Sequence, residues 1–142
     1  MFSEISELQT IREQKLRCSA RERELTTPLL TDLELVPVIY GWFRDILSHR
    51  TAVPGWGSVA QRKKFIFIIL YLYSPGTLVG VKMVGGLRDK ISEVVNVNSK
   101  STISDNCVNA LFMYRNYKTF RADIESVYTE IVRRLREKGL LK

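Results

Sequence analysis

Apolar positions recur with a different rhythm in each part of the chain, and each rhythm predicts a different helix. Residues 3–25 are polar and helix-friendly, with Ile5, Leu8, Ile11 and Leu16 as the only regular apolar positions. So thin and drifting a stripe predicts a weakly packed N-terminal arm helix within residues 1–27 rather than a long coiled coil. Thr26-Thr27-Pro28 ends it, and the rest, 28–142, reads as one domain. Over 29–48 the apolar residues Leu33, Leu35, Val36, Val38, Ile39, Trp42, Phe43, Ile46 and Leu47 mark a second helix. Thr31 and Glu34 have capping-box spacing, but that start would put Pro37 deep inside. A helix over 37–48 with Pro37 in its first turn is the better reading. A loop with two glycines and one proline, Thr51-Ala52-Val53-Pro54-Gly55-Trp56-Gly57, follows. Ser58 and Gln61 then form a capping box that opens a helix over 59–73. Nine consecutive apolar residues, Phe65 to Tyr73, leave that helix no polar face, so it should be the buried centre of the domain. Ser74-Pro75-Gly76 stops it.

The uncharged run from Phe65 to Val81 is flanked by Arg62-Lys63-Lys64 and Lys82, which raises the question of a membrane span. Its 17 residues stand at the lower limit, and Ser-Pro-Gly-Thr breaks it near the middle, so no membrane association is expected. At 142 residues, 45% hydrophobic and 26% charged, the chain has the balance of one folded domain. Its net charge of +7 is uneven. Residues 1–50 carry seven basic and eight acidic side chains, 51–100 seven and two, and 101–142 eight and five. The basic part is the one expected to meet a polyanion, if any does.

Two cysteines, Cys18 and Cys107, and one histidine, His49, exclude a disulfide scaffold and an ordinary zinc site. His49 reads as a surface histidine at a helix end. The acidic start, Met-Phe-Ser-Glu-Ile-Ser-Glu, has no apolar core of a secretory signal, which with reduced thiols implies a cytoplasmic setting, bacterial or in an infected host.

Residues 87–116 carry the functional expectation. Leu87, Ile91, Val94 and Val95 share the inner face of a short helix, Asn96 supplies a residue tolerant of positive φ, and Val97 follows as an apolar plug. Asn98, Ser99 or Ser101 can cap a second helix over 101–116, whose apolar positions are Ile103, Cys107, Ala110, Leu111 and Tyr114. This pattern resembles a helix-turn-helix DNA-binding unit of the small phage or mobile-element type, with a turn one residue longer than the commonest form. The resemblance implies a tri-helical unit whose second helix lies in the major groove. Thr102, Asp105, Asn106 and Asn109 would then read base edges, an Asn pairing with adenine and Asp105 accepting from cytosine. Arg88, Lys90, Lys100, Arg115 and Lys118 would contact phosphates. The other reading of the same residues is a helical hairpin packed for stability alone.

The last helix is marked by Phe120, Ile124, Val127, Tyr128, Ile131 and Leu135, with Thr119 as its cap and Gly139 as its stop. Its Arg133, Arg134 and Arg136 suit the helix dipole and solvation, with phosphate contact as the alternative. Tyr71, Tyr73, Phe112, Tyr114, Tyr117, Phe120 and Tyr128 fall mostly on apolar faces and are expected in the core. Trp56, between two glycines, is either an anchor for a protein partner or a staple for its loop. Gly76, Gly80, Gly85 and Gly86 match no phosphate-binding loop, and no acidic pair or catalytic constellation is evident, so neither an enzyme, a cofactor nor a small-molecule substrate is expected.

The expectation is thus an all-α bundle of five or six helices with a helix-turn-helix and an arm helix. It would be a small transcriptional regulator or DNA-packaging recognition subunit on double-stranded DNA, with the arm able to make a homodimer. The alternative is a non-enzymatic structural or adaptor protein, such as a phage assembly component, in which the hairpin only packs.

Overall fold

The structure is a computed structural model and describes residues 1–50 and 58–142. Trp56 and the side chain of the Ser58 cap lie outside what is described. The fold is all-α: α1 (Ser3–Thr26), α2 (Leu35–Ser48), α3 (Ser58–Tyr73), α4 (Leu87–Val95), α5 (Lys100–Asn116) and α6 (Lys118–Glu137), with a short 3-10 turn over Pro75–Val79. No strand occurs among the described residues.

The hydrophobic run of α3 does what its pattern demands. Phe65, Ile66, Ile68, Ile69, Leu70 and Leu72 are wholly buried, and α3 packs against α2, α4, α5, α6 and the 3-10 turn. Full burial of each such side chain contributes about 1.5–3 kcal/mol, so a polar replacement at Ile69 would break the centre of the bundle. Tyr71 departs from the expected continuous burial, standing 45% exposed at the meeting of α3 and α6, where Tyr128 packs against it. The chain entering from the arm is fastened to the end of this helix. The amides of Leu29 and Leu30 both donate to the Leu72 carbonyl, and the Tyr73 hydroxyl donates to the Asp32 carbonyl at 2.7 Å.

α1 has no buried residue, and the 3-10 turn is the one described element that it meets. At about 1.5 Å per residue its 24 residues extend about 36 Å. Ile5, Leu8, Leu16 and Leu25 are each more than half exposed along it. At the junction, Gly76 admits the chain closely: a Cβ there would stand 3.1 Å from that of Val81 and 3.4 Å from the Thr26 methyl.

Two predicted helix starts shift by more than one residue. α2 begins at Leu35, two residues before Pro37, because its first amides need no intrahelical carbonyl and a proline is tolerated anywhere in that turn. The Glu34 amide donates instead to the Asp32 carboxylate. α6 begins at Lys118 with Tyr117 as N-cap, so Thr119 lies inside the helix and does not cap it. Its end is as expected. Gly139 takes φ 73° and its amide donates to Arg136, while Leu140 donates back to Leu135, a Schellman closure. No helix among the described residues is long and apolar enough to cross a membrane.

Candidate nucleic-acid interface

The α4–α5 pair is built by three local devices. Asn96, the one non-glycine residue with positive φ among those described (57°), ends α4. Its amide donates to Glu93 and that of Val97 to Ser92, closing the last turn in the same Schellman form as Gly139. The Ser92 hydroxyl donates to the Val97 carbonyl and pins the turn from the side. Val97 itself is half-buried against the core. Ser99, from the three candidates, caps α5: its hydroxyl accepts the Thr102 amide at 3.3 Å.

α5 turns Ile103, Cys107 and Ala110 inward against the bundle, with the half-buried Leu111 and Tyr114 beside them. Burial pushes the Cys107 thiol up to about 11, partly opposed by Arg88, so it stays a neutral apolar filler. The outward face carries Ser101, Asp105, Val108, Asn109, Phe112 and Arg115. Of the predicted base readers, Asp105 and Asn109 are exposed and adjacent, the Asn109 amide donating to the Asp105 carbonyl at 3.3 Å. Thr102 is half-buried beside the cap.

Asn106 is the correction. It is 6% exposed and faces the bundle, not the solvent. Its Oδ1 accepts from Nε of Arg62 on α3 at 3.1 Å, and its amide nitrogen donates to the Thr102 carbonyl at 2.5 Å. The physical reason is spacing: three residues after Ile103 and four before Ala110, position 106 falls within the buried stripe. A polar residue there is stable because Arg62 satisfies it. The charged partner on α3 was the signal that polarity alone concealed.

The predicted phosphate contacts divide in two. At the α4 end, Arg88 reaches the Ser104 hydroxyl, Lys90 pairs with Glu34 and Lys100 with Asp89, each at 3.5 Å. The Arg88 and Lys100 contacts are exposed and hold little, whereas the Lys90 side chain is largely buried. Arg115 and Lys118 are exposed at the other end and form no ion pair among the described residues. About 22 Å of helix separates Lys100 from Arg115 at 1.5 Å per residue.

Sequence reasoning also missed three exposed apolar side chains at this face. Val108 is 75%, Phe112 56% and Tyr117 53% exposed, and the rings of Phe112 and Tyr117 meet edge-on at 6.2 Å. Phe112 and Tyr117 were expected in the core. Their positions lie opposite the Ile103–Cys107–Ala110 stripe, or past the end of α5, and the spacing alone was enough to place them outside. Of the α6 arginines, Arg134 is engaged across the fold and Arg133 within its own helix, while Arg136 forms no ion pair among the described residues. Arg133 pairs with Glu130 at 2.7 Å and Glu137 at 3.0 Å, and Arg134 with Asp45 at 3.0 Å. Comparison with protein-family models, with curated proteins and with solved structures finds no match to this chain.

Proposed function

We propose that this chain binds double-stranded DNA, as a small regulator or a DNA-packaging recognition subunit, by laying the outward face of α5 in the major groove. The observation that carries the reading is the arrangement of α4 and α5. A short helix ends in the left-handed Asn96, a Ser99-capped helix of 17 residues follows, and its outward face bears Ser101, Asp105 and Asn109 between cations at both ends. Short polar groups on such a face suit base edges, and Arg88, Lys90, Lys100, Arg115 and Lys118 suit the flanking phosphates. With Asn106 turned inward, base reading falls to Ser101, Thr102, Asp105 and Asn109. The setting is the cytoplasm of a bacterium or an infected host, where free Cys18 and Cys107 stay reduced.

The test is a pair of double variants on duplex DNA. Replacing Asp105 and Asn109 by Ala should flatten the preference among sequences while leaving non-specific binding nearly intact. Replacing Lys100 and Arg115 by Ala should weaken binding to all sequences alike. If both variants bind as the parent does, α5 is not the reading helix.

A second reading has its own observation. Val108, Phe112 and Tyr117 form an exposed apolar patch, and all of α1 lies outside the core. These surfaces suit a structural or adaptor protein of an assembly, with α1 joining two copies. In that reading, Phe112→Ala and truncation of α1 change oligomeric state or partner capture, and salt has little effect.

A further inference from the structure

A second site lies where α3, α5 and α6 meet. Phe67, Tyr71, Tyr114 and Tyr128, with the Glu125 carboxylate at the rim and Ile68 beneath, line an open cavity of about 210 Å3. The rings stand in two pairs. Phe67 stacks on Tyr114 with centroids 4.6 Å apart, and Tyr71 meets Tyr128 edge to face at 5.2 Å. The Tyr114 hydroxyl donates to Oε1 of Glu125 at 3.1 Å and holds the carboxylate beside the rings. Burial, and for Tyr114 also the bond to Glu125, pushes the phenols of Tyr114 and Tyr128 up, so they remain neutral donors.

A purely apolar hollow would favour an alkyl group. Here four aromatic rings and a carboxylate line the space, which favours a cation. The molecule already places one on these rings, the Arg121 guanidinium lying 5.5 Å from the Tyr114 centroid. A small metal ion or a bare ammonium would lose its hydration shell on entering, with too few oxygen donors in return. A methylated ammonium is weakly hydrated, carries its charge on an apolar shell and fits the volume, which is below the roughly 300–1,000 Å3 of sites for drug-sized ligands. We propose that this cavity binds a quaternary or methylated ammonium group, with Tyr71 and Tyr128 meeting its methyl shell and Glu125 balancing its charge. The site is independent of whether α5 binds DNA.

The experiment is calorimetric titration of the full chain with choline, with Nε-trimethyl-lysine and with 3,3-dimethyl-1-butanol, the neutral isostere of choline. Saturable binding of at least one cation is expected, at least about tenfold tighter than the isostere. Whichever cation binds tighter names the source of the group, a free choline-like molecule or a modified side chain. Glu125→Gln and Tyr71→Leu each should weaken the cation about tenfold. Both residues are exposed, so the helical circular dichroism and melting of the variants should match the parent. Equal affinity for the isostere, no saturation at millimolar cation, or binding unchanged in both variants would overturn the proposal.

Discussion

α5 and α6 are consecutive, pack against each other and have similar lengths, 17 and 20 residues, yet they dispose of charge in opposite ways. On α6, Asp123 accepts from Lys64 at 2.9 Å and Arg50 at 3.5 Å, and Glu130 gathers Arg133 and Arg134. Its charges tie α2, α3 and α6 together. On α5 the outward Asp105 and Arg115 have no ion pair among the described residues, and Lys100 has only a long one to Asp89. Basic composition therefore misleads if it is counted by segment. Asp123 and Arg134 tie the C-terminal helix to the rest of the fold, while the exposed Arg115 and Lys118 beside α5 form no ion pair among the described residues.

That contrast is broken most severely at Asp123. Lys64 is 4% exposed, and burial lowers its pKa against the opposing pull of Asp123. Asp123→Asn removes the carboxylate that Lys64 and Arg50 share and should cost about 3 kcal/mol in urea unfolding. Adding Lys64→Met should recover most of the loss. Equal stability of parent and Asp123→Asn would show that the network does not hold the bundle.

Asn106→Ala comes next. It strands Nε of Arg62 and should cost about 2 kcal/mol. Its effect belongs to stability, and sequence preference on DNA should survive in the folded fraction. A loss of preference at full stability would return Asn106 to the reading face.

A smaller effect is expected from Arg115→Ala with Lys118→Ala, with stability unchanged. DNA affinity should fall about tenfold, and the slope of log affinity against log salt should lessen by about 2. Arg133→Ala should leave both quantities alone. If the two variants act equally on DNA, α5 and α6 are not distinguished.

The smallest change concerns acid. Hydrogen bonds from Arg133 and then Arg134 hold the Glu130 carboxyl down at about 2, below its ordinary 4.5. A depressed carboxyl stabilises the fold above the unfolded value, so this contribution is complete above pH 4.5 and is lost as pH falls through about 2. The stability difference between the parent and Glu130→Gln should narrow across that window. A constant difference would show that Glu130 binds its proton no differently in the folded and unfolded chains.

Much of this architecture was legible because it rests on local rules. Leu87–Val95 as a helix, Asn96 as its left-handed stop, the buried α3 and the Gly139 closure all follow from periodicity and backbone chemistry within a few residues. What was not legible depends on a partner distant in sequence. Asn106 falls in the buried stripe by its spacing, but its polarity is tolerated there because Arg62, 44 positions earlier, arrives to satisfy it. Tyr71 is exposed despite its apolar run because the cover over α3 ends at the meeting with α6. Phe112 is different: its position opposite the Ile103–Cys107–Ala110 stripe is readable from the sequence, and it overrides the hydrophobicity of the ring.

The most direct test of the central claim is fluorescence anisotropy of a labelled random-sequence duplex, titrated with the protein at about 50 and 200 mM salt. The DNA reading predicts micromolar binding at the lower salt that collapses at the higher, as phosphate contacts around α5 are screened. Absence of binding at low salt would contradict it, and would turn attention to Val108, Phe112, Tyr117 and α1 as surfaces for a protein partner.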